Sequence, residues 1–356
     1  MRFTFTEDQL LFQTSVRNVM SKECTPAHIR KLWETETGRS PEMWSKLAEI
    51  GLLGLLAPER NGGLGMDEVD LVLLLEETGR AALPEPVVET AAVGVPLLAN
   101  PDSKKLDELR ERWLPQVASG KAILTVGHAA NPFVCDAHVA DLLLLQHGED
   151  EVHAVPRERA VLERQACSDA SRRLFRVEWV PSPDSRVAQG EEGRRLLDAA
   201  FDRGALASAA QQLGIGQQLV EMAVKYATER EQFGKPIGSF QAIKHMLANV
   251  QVRIEFARPA VYRAAFEVAR GTERRSVAVS HAKAAASEAA VQAAKAALQV
   301  HGAVGYTWEV DLQIWMKRAW ALEAAWGNRI WHRARIGASI LDGSGPAPTF
   351  GYSAPV

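Results

Sequence analysis

The stretch Arg230-Glu231-Gln232-Phe233-Gly234-Lys235-Pro236-Ile237 separates two long helical patterns. The first pattern, residues 196–230, repeats apolar residues on one helical face, and the second begins at Ser239-Phe240-Gln241. An arginine at a helix end offers planar, bidentate donors that suit a phosphate. Gln232 and Phe233 have the groups to hydrogen-bond to a flat ring and to stack on it. On composition alone, ordinary helix capping is the simpler interpretation.

A second stretch of this kind is Gln299-Val300-His301-Gly302-Ala303-Val304-Gly305-Tyr306-Thr307. Its small residues let the backbone approach a ligand closely, although helix capping is again the simpler interpretation. The helical patterns 196–230, 243–270 and 277–300 flank the two stretches, and together with a fourth helix they predict an up-down four-helix bundle. We place this bundle at residues 193–343, followed by a tail at 344–356.

The chain before residue 118 also has a helical pattern. Thr6-Glu7-Asp8-Gln9 has the residues of a capping box, and Ser40-Pro41 predicts the start of a second helix. Asn61-Gly62-Gly63 marks a turn, and Asp67 begins a very apolar helix that ends at Gly79. We therefore predict an N-terminal helical domain at residues 1–117.

Residues 118–192 have a different period. Short apolar runs lie at 122–126, 142–145 and 152–155, with a turn at 147–150, and residues 175–179 alternate apolar and charged side chains. This pattern predicts a small antiparallel β module between the two helical domains.

Composition excludes several classes of protein. The chain has 356 residues, of which 47% are hydrophobic and 24% are charged, and this composition indicates packed domains rather than disorder. A net charge of −3 without a basic block argues against a nucleic-acid partner. Three widely spaced cysteines are typical of a reduced, cytosolic chain. No apolar run approaches the roughly 18 residues of a membrane span, so we expect a cytoplasmic protein without a membrane partner.

Signatures of other catalytic sites are missing, including the glycine-rich nucleotide loops, the G-x-S-x-G elbow and the H-E-x-x-H zinc motif. One metal-like group is present, formed by Cys135, His138 and the nearby His128. Since it lacks the paired spacing of a zinc site, we interpret it as an ordinary loop and predict no metal.

At the two stretches quoted first, the sequence resembles the acyl-CoA dehydrogenase family. Residues 230–241 resemble its R-x-Q-F-G-x-x-I…F-Q segment, and residues 299–309 resemble its Q-x-x-G-G-x-G-Y segment, with Ala303 in place of the second glycine. The resemblance extends to Gly62-Gly63-Leu64-Gly65 and Glu76-Glu77-Thr78-Gly79-Arg80 in the N-terminal part.

The resemblance implies a mainly α fold: an N-terminal helical domain, a middle β-barrel domain that is shortened here, and a C-terminal four-helix bundle. It also implies FAD, which family members share across a subunit interface, and removal of two hydrogens from an acyl-CoA by a carboxylate base and the flavin. The residues that would contact FAD of a neighbouring subunit are Arg230, Gln232, Phe233, Gln241, Gln299 and Gly302.

The sequence departs from the family where the catalytic glutamate is expected. One family position is held here by Trp326 or Gly327, depending on a one-residue register choice, and the other by Gly204. Asp202 is two residues away and would point elsewhere on a helix. The loops that should surround the flavin ring are also shortened.

We therefore predict a non-catalytic subunit of a heteromeric acyl-CoA dehydrogenase, with a homologous catalytic subunit and an electron-transfer acceptor as partners. A steroid side-chain CoA thioester is the predicted substrate class by analogy. One alternative is an autonomous homo-oligomeric enzyme with Glu309 or Glu323 as a substitute base. Glu309 is otherwise a helix-start acid, and Glu323 an ion-pair partner of Arg318 or of a partner chain.

A second alternative is a scaffold or ligand-binding protein without flavin, although a structural bundle has no need of the predicted FAD-contact residues. Tryptophans are crowded near the C-terminal end of the bundle, which predicts packing against a partner or in an oligomer core. They are Trp308, Trp315, Trp320, Trp326 and Trp331.

Overall fold

A computed structural model describes residues 4–101 and 104–342, and the predicted tail at 344–356 lies outside these residues. The predicted fold class is confirmed, with helices on both sides of a small β region. The helices are α1 (Glu7–Glu23), α2 (Pro26–Trp33), α3 (Pro41–Glu49), α4 (Glu68–Arg80), α5 (Val95–Ala99), α6 (Asp107–Ala118), α7 (Gly190–Glu229), α8 (Gln241–Ala269), α9 (Arg275–His301), α10 (Leu312–Ala324) and α11 (Arg329–Leu341). The strands are β1 (Leu124–Gly127), β2 (Val134–Cys135), β3 (Leu142–His147), β4 (Glu151–Pro156), β5 (Val161–Gln165), β6 (Leu174–Glu178), β7 (Arg186–Ala188), β8 (Glu231–Gln232) and β9 (Lys235–Pro236).

The N-terminal helices begin where their capping residues predict. Thr6 and Gln9 form the reciprocal hydrogen bonds of a capping box at the start of α1. The Ser40 hydroxyl accepts from the Met43 amide at the start of α3. That helix is the third and not the second, because Thr25-Pro26 caps α2 with the same combination of hydroxyl and first-turn proline.

Helix α4 connects the N-terminal region to the bundle. Asp67 caps its start as predicted, and its apolar residues are buried against α7. The two helices come unusually close, because a Cβ at Gly79 would collide with the backbone of Gln211 and one at Gly214 with that of Glu76. This contact fixes the position of α7, which presents the candidate catalytic position.

The β region differs from the prediction in one respect. Strands β1, β3, β4 and β7 form one sheet and β2, β6 and β5 another, while β8 and β9 form a separate hairpin. The small module is not wholly antiparallel, because β1 pairs with β3 in parallel, with Leu124 opposite Leu142. Between β1 and β3 the chain crosses to the second sheet to form β2, and it therefore enters β3 in the direction of β1.

The bundle contains three long helices, α7, α8 and α9, which pack against one another through many alanine residues. The predicted fourth long helix is instead two 13-residue helices, α10 and α11. They are separated at residues 325–328, where Trp326 and Gly327 have positive φ values of 56° and 83° and Asn328 caps α11. Among the helices in the described part of the chain, none is long and apolar enough to span a membrane.

Candidate functional site

The stretch after α7 forms an exposed hairpin. Arg230 is the C-cap of α7, and β8 pairs with β9 around a two-residue turn at Phe233 and Gly234, both with positive φ. The Phe233 side chain is 92% exposed and meets the Phe240 ring edge-on at 6.1 Å. Gln241 is exposed at the first position of α8, directly after this hairpin.

The second stretch lies at the same end of the bundle. The ring of His301, the last residue of α9, stacks on the ring of Tyr226 in the last turn of α7, with centroids 4.3 Å apart. Gln299 and Gly302 are both exposed beside it, and Gly302 has a φ of 63° with open space around its Cα. The fold thus gathers all the predicted FAD-contact residues at one exposed end of the bundle.

The chemistry of this end fits an anionic ligand with a flat ring. Within residues 4–101 and 104–342, no carboxylate forms an ion pair with the guanidinium of Arg230, which leaves its donors available to a phosphate. The exposed ring of Phe233 and the open backbone at Gly302 leave room for a second molecule. These residues face away from the core of their own chain, and for that reason they suit contacts with a neighbouring subunit.

Gly204, at one expected position of a catalytic glutamate, touches Trp326, which with Gly327 is one of the two candidates for the other position. Gly204 lies in the middle of α7, and a Cβ built on it would be 2.7 Å from Cε3 of Trp326 and closer still to Cδ2 and Cε2. Trp326 is only 2% exposed. Its indole therefore fills the space that a side chain at position 204 would need, and neither position offers a carboxylate.

Several buried groups hold Trp326 in place. Its backbone N–H donates to Oδ1 of Asn131 at 2.8 Å, and its carbonyl lies 2.9 Å from Nε2 of His332. Nζ of the fully buried Lys283 donates to the carbonyls of Leu322 and Glu323, at 2.7 and 3.2 Å. These contacts cap the end of α10 and fix the turn, which offsets the strain of a positive φ at a tryptophan.

The histidines near Trp326 are poor candidates for a base that gains a proton near neutral pH. Burial lowers the pKa of His128 to about 4, and burial lowers the pKa of His332 to about 4 as well. The ring of His128 lies 5.6 Å from that of Phe201 and 5.7 Å from that of Trp326, among apolar neighbours. Desolvation of the charged imidazolium explains both values.

The acidic candidates are engaged elsewhere. Asp202 is buried and pairs with Arg275 at 3.2 Å and Arg335 at 3.0 Å, which confirms that it points away from position 204. Glu323 pairs with Arg329 at 3.7 Å, so the expected pairing with Arg318 is wrong. Arg318 instead forms a buried ion pair with Asp169 and donates to the carbonyl of Leu83.

Glu309 lies in an exposed loop before α10. Because α10 begins only at Leu312 with Asp311 as its N-cap, the interpretation of Glu309 as an acid in the first helical turn is wrong. Asp311 has a role of its own, since it accepts a hydrogen bond from Nε of Arg30 at 2.8 Å.

The interior below position 204 is filled with charged groups. Ser208, one turn after Gly204 on α7, lines a cavity of about 20 Å³ together with Leu322 and buried residues of the N-terminal and β regions. Arg39 pairs there with Asp136, and burial raises the pKa values of Glu85 and Glu89. A cavity of this size holds roughly one water molecule, whereas ligand pockets measure about 300–1,000 Å³.

The metal-like group considered from the sequence is divided among different neighbours. Cys135 is buried beside Asp136, His138 contacts the Thr37 carbonyl through Nε2 at 2.8 Å, and His128 lies among the aromatic rings near Trp326.

The crowded tryptophans differ in exposure. Trp315 and Trp326 are buried within this chain, whereas Trp308, Trp320 and Trp331 are 63%, 40% and 47% exposed.

Sequence reasoning missed Lys283, Asn131 and the buried ion pairs. A lysine inside the alanine-rich pattern of α9 was the one local signal for Lys283, because an amphipathic helix normally places lysine on its exposed face. Nothing local marks Asn131, since its partner lies far along the chain.

Comparisons with known proteins agree with this architecture. The family model "Acyl-CoA dehydrogenase, N-terminal domain" matches residues 6–121, and "Acyl-CoA dehydrogenase, C-terminal domain" matches residues 191–341. The acyl-CoA dehydrogenase IpdE2 of Mycolicibacterium smegmatis is 32% identical over 321 residues, which cover 88% of this chain and 93% of that protein.

Two solved structures are similar over nearly the whole chain. The steroid ACAD Tcur3481–Tcur3483 has a TM-score of 0.85 at 25% identity, covering 95% of this chain and 99% of that one. The ChsE4–ChsE5 complex from Mycobacterium tuberculosis has a TM-score of 0.85 at 27% identity, covering 98% of this chain and 100% of that one. With both family models and a relative of nearly full length, the chain belongs to the acyl-CoA dehydrogenase family.

Proposed function

We propose that this chain is a subunit of a heteromeric, FAD-dependent acyl-CoA dehydrogenase that supplies FAD contacts to a neighbouring subunit but no catalytic base. Membership of the family implies FAD and an oxidoreductase activity on an acyl-CoA. The observation that supports the subunit role best is the buried indole of Trp326 against Gly204, because it fills the space of a side chain at position 204, and neither Trp326 nor Gly327 carries a carboxylate.

The exposed end of the bundle is the proposed FAD contact. Arg230 would bind a phosphate, Gln232, Gln241 and Gln299 would donate or accept hydrogen bonds, and Phe233 would lie against a ring. FAD, when bound, supplies the acceptor for the hydride that leaves the acyl group. The residues of this chain bind and orient it, while the base and the ring pocket belong to the neighbouring subunit.

The interior of this chain also supports a role as the subunit without a catalytic base. The cavity below Gly204 has a volume of about 20 Å³ and is lined by charged residues, so an acyl chain has no room there. General-base assistance is worth typically about 10²–10⁴-fold in rate, and a chain without it would turn over slowly even with flavin present. The partner would therefore be a homologous subunit that keeps the glutamate and an open acyl pocket.

The substrate is proposed from the similar proteins. One of the two similar structures is a steroid ACAD of two named components, and the other is a two-component complex. We propose a steroid side-chain CoA thioester as the substrate of the assembled enzyme. An electron-transfer acceptor would reoxidise the enzyme after each turnover.

Assembly from separately purified subunits tests this proposal. The chain is mixed with a homologous partner that keeps the glutamate, and turnover of a steroid side-chain CoA thioester is measured with a dye acceptor. Activity should require both chains and should be lost when the partner's glutamate is replaced by glutamine. Full activity of this chain alone, or of the assembly with the altered partner, would overturn the proposal.

A further inference from the structure

The hairpin of β3 and β4 holds a group of metal-ligating side chains that the proposed function does not use. His147 is directly opposite Glu151 in the antiparallel pair, and His153 follows two residues later on the same face. One oxygen of Glu151, Oε2, lies 2.9 Å from Nδ1 of His147 and 3.2 Å from Nε2 of His153. The three ligand atoms all lie within 4.8 Å of one another.

We propose that His147, Glu151 and His153 bind a zinc ion on this hairpin. Zinc takes imidazole nitrogen and carboxylate oxygen at roughly 2.0–2.2 Å, and a tetrahedral arrangement at such lengths separates neighbouring ligand atoms by about 3.3 Å. Both separations from Glu151 are close to this value. The third separation, between the two histidine nitrogens, is within 4.8 Å, and His147 is exposed and has room to move towards His153.

Neighbouring groups orient two of the three ligands. The other ring nitrogen of His153, Nδ1, lies 2.9 Å from the Ser185 hydroxyl. The second oxygen of Glu151 accepts a hydrogen bond from Arg186 at 2.7 Å, which leaves Oε2 directed at the histidines. Outer partners of this kind fix the tautomer of a ligating histidine and the orientation of a ligating carboxylate.

Burial gives the site a closed side and an open side. The side chain of His153 is 1% exposed, that of Glu151 23% and that of His147 52%. A zinc ion held by all three would keep its fourth position towards solvent.

A second group of possible ligands, Glu89, Cys135 and Asp136, does not support a metal. These residues lie in the buried ionic cluster, where Arg39 already pairs with Asp136. Burial raises the pKa of the Cys135 thiol well above its usual value, which disfavours the thiolate that a metal needs. Glu151 on the hairpin also has an arginine partner, but Arg186 binds its other oxygen and leaves Oε2 facing the two histidines, and the exposed His147 gives the site an accessible side.

Zinc titration of the full chain tests the proposal, with Cys167→Ser as background because Cys167 is the partly exposed thiol. After chelator treatment and dialysis, calorimetry with Zn²⁺ should show one ion per chain with micromolar affinity or better, and no comparable binding of Mg²⁺. His147→Ala should lower the affinity at least about tenfold without unfolding the chain, and His245→Ala, an exposed histidine on α8, should not change it.

A variant of the hydrogen-bond partner of His153 distinguishes an organised zinc site from two histidines that happen to lie close together. Ser185→Ala should weaken Zn²⁺ binding about 10–100-fold, as loss of an outer partner does at zinc sites. Zn²⁺ should raise the melting temperature of the unmodified chain and should not change that of His147→Ala. Binding only at millimolar Zn²⁺, or binding that persists in His147→Ala, would overturn the proposal. Neither result bears on the FAD-contact residues or the subunit role.

Discussion

The indole of Trp326 lies against the backbone of Gly204, in the space that a side chain at position 204 would need. The family resemblance places a catalytic glutamate at position 204 or at 326 or 327, so the contact joins two of these positions. A tryptophan with positive φ is held there by Asn131, His332 and the capped end of α10. The turn is therefore fixed by several contacts with other parts of the chain. A side chain at position 204 and an indole at position 326 exclude each other.

This exclusion predicts non-additive stability changes. Gly204→Ala should destabilise the chain by about 1–3 kcal/mol, because the added methyl group overlaps a buried ring. In a Trp326→Gly background the same change should be neutral, or stabilising by up to about 1 kcal/mol, as for glycine to alanine in a helix interior. Urea unfolding of the four proteins in this cycle gives the coupling free energy directly.

The matched control for this cycle is Gly337→Ala on α11. Nothing lies within 4 Å of a Cβ at that position, so this change should be neutral or slightly stabilising in both backgrounds. Additive changes in free energy for Gly204→Ala and Trp326→Gly would mean that the indole does not occupy the space above Gly204.

Arg230→Ala should lower flavin binding by the assembled enzyme. Loss of a charge-assisted hydrogen bond to a phosphate costs about 1.5–3 kcal/mol, which corresponds to roughly 10–100-fold in affinity. Because Arg230 is exposed, the melting temperature of the chain alone should not change. Flavin per polypeptide, measured by absorbance after dialysis, checks the effect.

Arg195→Ala, at the opposite end of α7, is the control for this change, since Arg195 is exposed and, among the described residues, pairs with Glu191 alone, one turn away. Its flavin content should match that of the unmodified assembly. Full flavin retention in Arg230→Ala would show that Arg230 does not contact FAD in the assembly. That result would favour a scaffold role in which this chain itself does not bind flavin.

Glu309→Gln and Glu323→Gln should leave turnover of the assembled enzyme unchanged. Glu309 lies in an exposed loop, and Glu323 forms an ion pair with Arg329 within this chain. Since solvent surrounds Glu309 and an ion pair engages Glu323, neither has the surroundings of a general base. A loss of 10²-fold or more in kcat for either variant, with the complex intact by gel filtration, would support the autonomous enzyme instead.

His332 should make stability depend on pH below neutrality. Burial lowers its pKa to about 4 in the folded chain, whereas an unfolded histidine has a pKa of about 6.5. The unfolded chain therefore binds the proton first as pH falls, and the stabilisation present above pH 6.5 is lost towards pH 4. Lys283 and Arg335 nearby act in the same direction as burial.

Urea unfolding between pH 4.5 and 7.5 measures this effect. The difference in unfolding free energy between the unmodified chain and His332→Gln should shrink by about 1 kcal/mol per pH unit below pH 6.5. His245→Gln on the exposed face of α8 should track the unmodified chain. A difference that is constant across this range would contradict the prediction, because it would mean that His332 has the same pKa in the folded and in the unfolded chain.

Local signals predicted local structure well. The caps at Thr6, Ser40 and Asp67 depend on hydrogen bonds within one turn, so their residue types alone predict three helix starts. The same reasoning would have found α2, since Thr25-Pro26 repeats the Ser40-Pro41 pattern.

Contacts between distant segments could not be predicted in this way. The parallel pairing of β1 with β3 depends on the crossing of the chain to the second sheet between them, where it forms β2. The contact of Gly204 with Trp326 depends on how α7 packs beside the turn after α10. From the sequence, His147 was assigned to a turn and His153 to an apolar run, and Glu151 between them had no assigned role, because their spacing across a hairpin matches none of the usual zinc motifs. Periodicity indicates which face is buried but not which partner covers it.

The most direct test of the subunit role is the visible absorbance of this chain purified alone. The chain is incubated with excess FAD and gel-filtered, then mixed anaerobically with butyryl-CoA or with a steroid side-chain CoA thioester. We expect well below one FAD per chain and no bleaching of the residual flavin. One tightly bound FAD per chain that is bleached on adding either thioester would contradict it.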